Sequence, residues 1–150
     1  MIEKFPHMNR ALAEAAKAAA IGEVPVGAVV ISPTGELIAA AHNRVVTDHD
    51  PTAHAEILAI RQACQKIGSE RLIDCDLYVT LEPCAMCAQA IAFARIRRLY
   101  FGAEDEKGGG THNGARVFEQ KTCHHTPEIY SDIAAQDAAK LLRDFFQKRR

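Results

Sequence analysis

Pro51-Thr52-Ala53-His54-Ala55-Glu56 opens the stretch whose order of elements decides the fold. Behind it Ile57, Ile60, Ala63, Cys64 and Ile67 recur at three- and four-residue intervals and Gly68 follows. That spacing predicts an amphipathic helix from Thr52 to Ile67, closed by a C′ glycine. Leu77-Tyr78-Val79-Thr80-Leu81 reads as a buried strand, and Pro83, at or near N1, starts a helix that runs to about Arg95. Arg98 to Ala103 is a further strand.

Upstream, Met8 to Ile21 is alanine-rich with no internal Gly or Pro, and Gly22 supplies a stop, which predicts a helix. Val24 to Ile31, a turn at Pro33-Thr34-Gly35 and Leu37 to Ala41 read as a β-hairpin. Gly27 inside its first strand marks a close approach of backbone or ligand. Downstream, Glu104 to Pro127 carries Gly108-Gly109-Gly110 and Asn113-Gly114 and reads as a loop with a short helix near Ala115 to Glu119. A loop of that length in a compact domain is usually functional. Glu128 to Ser131 is a weak edge strand and Ala134 to Lys148 a closing helix. Strands alternating with helices imply an α/β three-layer sandwich, a mixed five-stranded sheet with helices on both faces. Residues 1–150 read as one domain.

The composition narrows the function classes. Hydrophobic content of 48% and charged content of 25% exclude a disordered chain. A net charge of −1 gives no global reason to bind nucleic acid, so any basic surface must be local. Five cysteines with one C-x-x-C and no pattern of regular pairing fit a reducing compartment, with metal or redox use of that pair. Met1 to His7 holds no continuous apolar run, and no stretch approaches 18 uninterrupted apolar residues. The expectation is a cytoplasmic protein without a membrane span.

Cys84 and Cys87, in Pro83-Cys84-Ala85-Met86-Cys87, lie one helical turn apart, so both sulfurs can reach one ion. A dithiol redox pair or two buried thiols are the alternatives, but a redox motif has no need of a distant His-x-Glu. With His54 as third ligand the set has the composition of a catalytic zinc site, whose fourth position holds a water with a pKa lowered to roughly 7. Glu56 would point about 200° from His54 in a regular helix, so it is not a fourth ligand from the same side. At the helix tip it can approach the metal-bound water. Both segments are expected at helix N-termini, where free N–H groups favour anionic thiolates.

The pattern H-x-E…P-C-x-x-C resembles that of the zinc-dependent nucleobase deaminases, the cytidine and deoxycytidylate deaminase superfamily. Glu23 to Val29, His49 to Glu56, Arg71 to Asp74, Leu77 to Cys84 and Asp144-Phe145-Phe146 are similar to the bacterial tRNA-specific adenosine deaminases, and the similarity covers nearly the whole chain. The resemblance implies a cytidine deaminase-like fold, zinc held by His54, Cys84 and Cys87, and proton transfer by Glu56. It implies hydrolytic conversion of adenosine to inosine at the wobble position of a tRNA anticodon stem-loop. It also implies a homodimer whose site is completed near the subunit interface.

Carried over by position, Asn43 would hydrogen-bond the target nucleotide and Asp105 would lie near the nucleotide before it, with Ala55, Phe145, Lys148 and Arg149 as further substrate contacts. The residues themselves leave alternatives open. Asn43 can instead satisfy a loop backbone, and Asp105 can be a plain loop acid. Leu141, Leu142, Phe145 and Phe146 form a stripe that reads as core-facing. Lys148, Arg149 and Arg150 suit either phosphates or the negative end of a helix dipole.

Between Lys107 and Tyr130 the sequence departs from the commoner family pattern. Cys123-His124-His125 sits there, but three adjacent residues do not readily converge on one ion. The closest rival function is a small-molecule deaminase acting on guanine, cytosine or a free nucleoside. A non-catalytic, zinc-stabilised RNA-binding module is a rival of another class, opposed by Glu56 and by the absence of a fourth ligand.

Overall fold

In the computed structural model, which describes residues 5–149, the first strand begins at Gly27 and not at Val24. Pro25 has no N–H to give a ladder, and the Val26 N–H closes onto the Val24 carbonyl two residues back, a tight turn that strand pairing cannot accommodate. Gly27 itself lies under the first helix. A Cβ there would collide with the Ala11 carbonyl and the Ala15 N–H, so the expected close approach is one of backbone to backbone. Met1 to Lys4 and Arg150, part of the predicted basic end, lie outside the described residues.

The elements run α1 (Pro6–Ala20), β1 (Gly27–Ile31), β2 (Leu37–His42), α2 (Ala55–Ile67), β3 (Asp76–Leu81), α3 (Ala85–Ala94), β4 (Arg98–Ala103), β5 (Glu128–Tyr130) and α4 (Ala135–Gln147). A 3₁₀ turn at Val117–Glu119 falls inside the predicted short helix. Among the described residues the sheet has five strands in the order β2-β1-β3-β4-β5. β1 is antiparallel to β2 and β3, while β3, β4 and β5 are parallel. A parallel neighbour needs a long crossover, which explains why the connection from β4 to β5 is long.

Alternate residues of each strand serve the two faces. Ala28, Val30, Leu77, Val79, Leu99 and Phe101 pack with Ala59, Ala63, Ala88 and Ile91 of α2 and α3. Val29, Ile31, Tyr78 and Tyr100 pack with Met8 and Ala11 of α1 and with Ile133 and Ala134 ahead of α4. Leu77, Ile91, Leu99 and Phe101 are completely buried, each contributing roughly 1.5–3 kcal/mol. The predicted mixed sheet with helices on both faces is the observed one.

Three boundaries differ in ways that matter for the site. α1 begins at Pro6, two residues early, because proline suits the first turn. α2 begins at Ala55, so His54 is its N-cap in extended conformation (φ −77°, ψ 151°) and not a residue of the helix. Pro83 precedes the N-cap of α3 and is not N1: Cys84 is the cap (φ −71°, ψ 175°), and its carbonyl accepts the first helical bond from Ala88. In α4 the expected stripe is only partly core. Phe145 is buried, Leu141 and Leu142 are half-buried, and Phe146 is 51% exposed.

Candidate active site

α2 and α3 bring their N-termini together. His54 Nδ1 lies 3.6 Å from Cys84 Sγ and 3.5 Å from Cys87 Sγ, and the three donor atoms fall within 4.8 Å of one another. Bond lengths of about 2.3 Å to sulfur and 2.0–2.1 Å to nitrogen at a tetrahedral angle require an N···S separation of about 3.6 Å, so the donor set fits one zinc-sized ion. Cys84 is the N-cap of α3 and Cys87 its third residue, where the free N–H groups of the first turn favour thiolates. Among the described residues this is the one grouping of its kind. Cys123, His124 and His125 do not join it. The Cys123 thiol donates to the His125 carbonyl, the His125 ring meets the Ile96 carbonyl at 2.6 Å, and His124 is exposed.

His54, Glu56 and Cys84 line one cavity of about 440 Å³, together with Asn43, Leu81, Asp105, Gly108 and the segment Gly22–Val24. This is the size of a small-ligand site. The 200° divergence expected between His54 and Glu56 does not arise, because His54 lies outside the helix and its extended backbone turns the imidazole toward the carboxylate's side. Glu56 is 4% exposed, and burial pushes its carboxyl up to about 7. Hydrogen bonding from the Cys87 thiol, with His54 close by, holds Cys84 down to about 4. The same thiol contact, and then burial, push Cys87 far up. His54 is raised chiefly by its contact with Cys84.

The remaining predicted contacts divide. Asn43 Oδ1 accepts the Ala55 N–H at 2.8 Å, so Asn43 does satisfy backbone, at the first residue of α2, while still lining the cavity. Because a backbone N–H can only donate, that atom is the amide oxygen, and the NH₂ group is what Asn43 has to offer a ligand. Ala55 is fully buried. Asp105 lines the cavity, and its Oδ1 accepts the N–H groups of Lys107 and Gly108. Phe145 is covered: its ring meets Phe146 edge-on, and the Arg149 guanidinium carbon lies 4.1 Å over its centre. Arg149 also closes on Gly22 at the cavity's edge, where an added Cβ would sit 3.3 Å from its Nη2. Lys148 is the exposed C-cap of α4 and does not line the cavity.

Two residues of this site escaped the sequence reading as functional groups. Glu23 is buried and accepts the N–H groups of Val46 (3.3 Å) and Thr47 (2.7 Å) together with the Thr47 hydroxyl. Glu82 is buried and accepts from Asp105, Thr111, His112 and both the backbone and side chain of Asn113. The available signal was a carboxylate adjoining an apolar run, Glu23 before Val24-Pro25-Val26 and Glu82 after Leu77 to Leu81. A buried carboxylate in such a place must find several donors.

Sheet order, paired helix N-termini, the His-Cys-Cys donor set and a buried carboxylate beside it define the class: a deaminase of cytidine deaminase-like architecture. The MafB19-like deaminase family matches residues 2–150. A tRNA-specific adenosine deaminase of Agrobacterium fabrum is 53% identical over 150 residues, covering 100% of this chain and 98% of that protein. A solved structure from work on A-to-I editing by tRNA:A34 deaminases at the wobble position of transfer RNA superposes with a TM-score of 0.90 at 53% identity, covering 93% of this chain and all of the other. A solved guanine deaminase from Nitrosomonas europaea superposes with a TM-score of 0.82 at 25% identity, covering 97% of this chain and 85% of that one. The chain belongs to the tRNA-specific adenosine deaminase family.

Proposed function

We propose that this protein hydrolyses adenosine to inosine, with release of ammonia, at the wobble position of a tRNA anticodon stem-loop, acting as one domain with zinc at His54, Cys84 and Cys87. The observation that carries the chemistry is the buried Glu56 in one cavity with His54 and Cys84. When bound, zinc supplies the electrostatic pull that makes a water nucleophilic at neutral pH. Glu56 takes a proton from that water and passes it to N1 of the adenine as oxygen adds at C6. It then takes the second proton, from the hydroxyl now on C6, and delivers it to the amino group, which departs as ammonia as the C6 carbonyl forms. A carboxyl group held near 7 suits this work, because it both accepts and releases protons at the operating pH.

The fold also carries guanine deamination in its relatives, so substrate choice rests on what surrounds the base. The family-level identity favours tRNA, and an anticodon loop, already single-stranded, lowers the cost of extruding the base. Asn43 and Asp105 contact the nucleotides inside the cavity, and Ala55 lies beneath them at the first turn of α2. Phe145 holds Arg149 at the rim, where Arg149 and Lys148 meet phosphates. The protein acts in the cytoplasm. Its five cysteines are free, and among the described residues no helix is long and apolar enough to cross a membrane.

α3 supports a homodimer. It is apolar nearly all round, yet Phe93 is 67% exposed, and Met86, between two metal ligands, reaches the surface as well. Sedimentation of the purified chain measures that assembly. The substrate is tested by comparing ammonia release on stem-loop RNA, free adenosine and free guanine at fixed metal content. Stem-loop RNA should react far faster, because remote contacts position the reacting base, and its binding should weaken with salt. Equal efficiency on free guanine or cytosine would transfer the protein to the small-molecule class, and metal binding without any turnover would leave a binding module.

A further inference from the structure

We propose that Glu82 is a positioning residue of this site: its buried carboxylate ties the segment 105–113, which walls the cavity with Asp105 and Gly108, to the turn that carries Cys84. It thereby sets where the substrate lies relative to Glu56. The inference rests on the deaminase reading above.

Glu82 is 2% exposed and accepts five hydrogen bonds, all from one segment. Oε1 takes the Asp105 N–H at 3.0 Å and the Asn113 side-chain amide at 2.7 Å. Oε2 takes the N–H groups of Thr111, His112 and Asn113 at 3.1, 2.9 and 3.0 Å. These bonds hold the carboxyl below its ordinary range against the opposing effect of burial. A converging set of backbone N–H groups is the kind of nest that proteins use to grip anions, and here the anion belongs to the chain itself.

The next residue carries the tie onward. The Pro83 carbonyl accepts the Gly110 N–H at 2.8 Å and the Thr111 hydroxyl at 3.3 Å. Contact is close enough to dictate glycine at two places: a Cβ at Gly109 would strike the Glu82 carboxylate, and one at Gly110 would strike the Ala85 N–H beside Cys84. Asp105 and Gly108, on the held segment, face the cavity along with Glu82 itself. The wall and the metal turn therefore move as one piece for as long as the carboxylate holds both.

Both oxygens accept only from N–H donors, so the isosteric Glu82→Gln puts an NH₂ group against at least two of them. The experiment compares parent and E82Q by amide hydrogen exchange, zinc content, and turnover of an anticodon stem-loop per zinc-loaded chain. One zinc per chain and protected α2 amides should persist. The amides of Thr111, His112 and Asn113 should exchange at least tenfold faster, and KM should rise about tenfold as fewer molecules hold a competent wall. Asn113→Ala removes one donor to Oε1 without altering the carboxylate, and it should move KM and exchange the same way by about threefold. It provides the reading if E82Q does not fold.

Unchanged exchange at 111–113 overturns the proposal. So does a lowered melting temperature accompanied by KM and kcat within twofold of the parent, which is the signature of a merely structural residue. If the parent itself fails to deaminate stem-loop RNA, the functional reading falls, while the exchange data still decide whether Glu82 holds the wall.

Discussion

The floor of the cavity and its two walls are built by different means. The floor is made by helix ends: His54 caps α2, Cys84 caps α3 and Cys87 follows one turn later, so short-range geometry sets most of the spacing. The walls are loops, 44–48 on one side and 105–113 on the other, with no helix or strand to shape them. Each gives several hydrogen bonds to one buried carboxylate from a distant part of the chain, Glu23 for the first and Glu82 for the second. On the function proposed above, the floor would hold the chemistry and the walls the substrate. Damage to the floor should therefore be nearly absolute, while damage to a wall should be graded.

The sharpest break of that division lies within the floor. Glu56→Ala should keep the metal, because Glu56 lies outside the His54, Cys84 and Cys87 donor set, and should lose turnover by about 10⁴-fold or more. One residue serving several proton transfers belongs at the top of the usual range for a general acid or base. Cys87→Ala should lose metal and activity together, since one of only three protein ligands is removed. Zinc assays beside inosine assays check both variants. Near-normal turnover by E56A would sink the proton-transfer role, and full metal occupancy in C87A would remove Cys87 from the ligand set.

This contrast also explains what could be read from the sequence. Cys84 and Cys87 announce themselves by spacing, and His54 and Glu56 gain their meaning from that pair. The sheet and its helices were legible because Leu77 to Leu81 and Arg98 to Ala103 bracket a helix in the manner of a parallel crossover. Three of the misplaced boundaries share one cause. Val24 to Val26, Thr52 to His54 and Pro83 to Cys84 are irregular segments leading into regular elements, where hydrophobic pattern carries no information about which residue makes the first bond. Glu82 and Glu23 were invisible as organisers because their partners stand 23 to 31 residues away and are mostly backbone N–H groups, which no side-chain pattern records. Spacing alone puts Phe146 on the core-facing stripe, yet the helix carries it past the edge of its packing surface.

The smallest expected effect concerns the Glu23 wall, and it turns on charge. Burial alone would raise the Glu23 carboxyl, but bonds from the Thr47 hydroxyl and the N–H groups of Thr47 and Val46, with the charge of Arg44, bring it below its ordinary value. A group with a lowered folded pKa adds stability above its unfolded value, about 4.3, and loses that contribution as the pH falls through the folded value. Glu23→Gln keeps the shape but removes the charge and turns an NH₂ group toward a backbone donor. It should cost about 1–3 kcal/mol at pH 7, and the gap between variant and parent should shrink as the pH falls through the parent's lowered folded value and its carboxylate is protonated. Urea unfolding of both proteins from pH 7 to pH 3 measures that gap, and taking the difference cancels the protonation of the metal ligands common to the two. A gap of the same size at every pH would mean that the wall is held by the shape of the side chain and not by its charge.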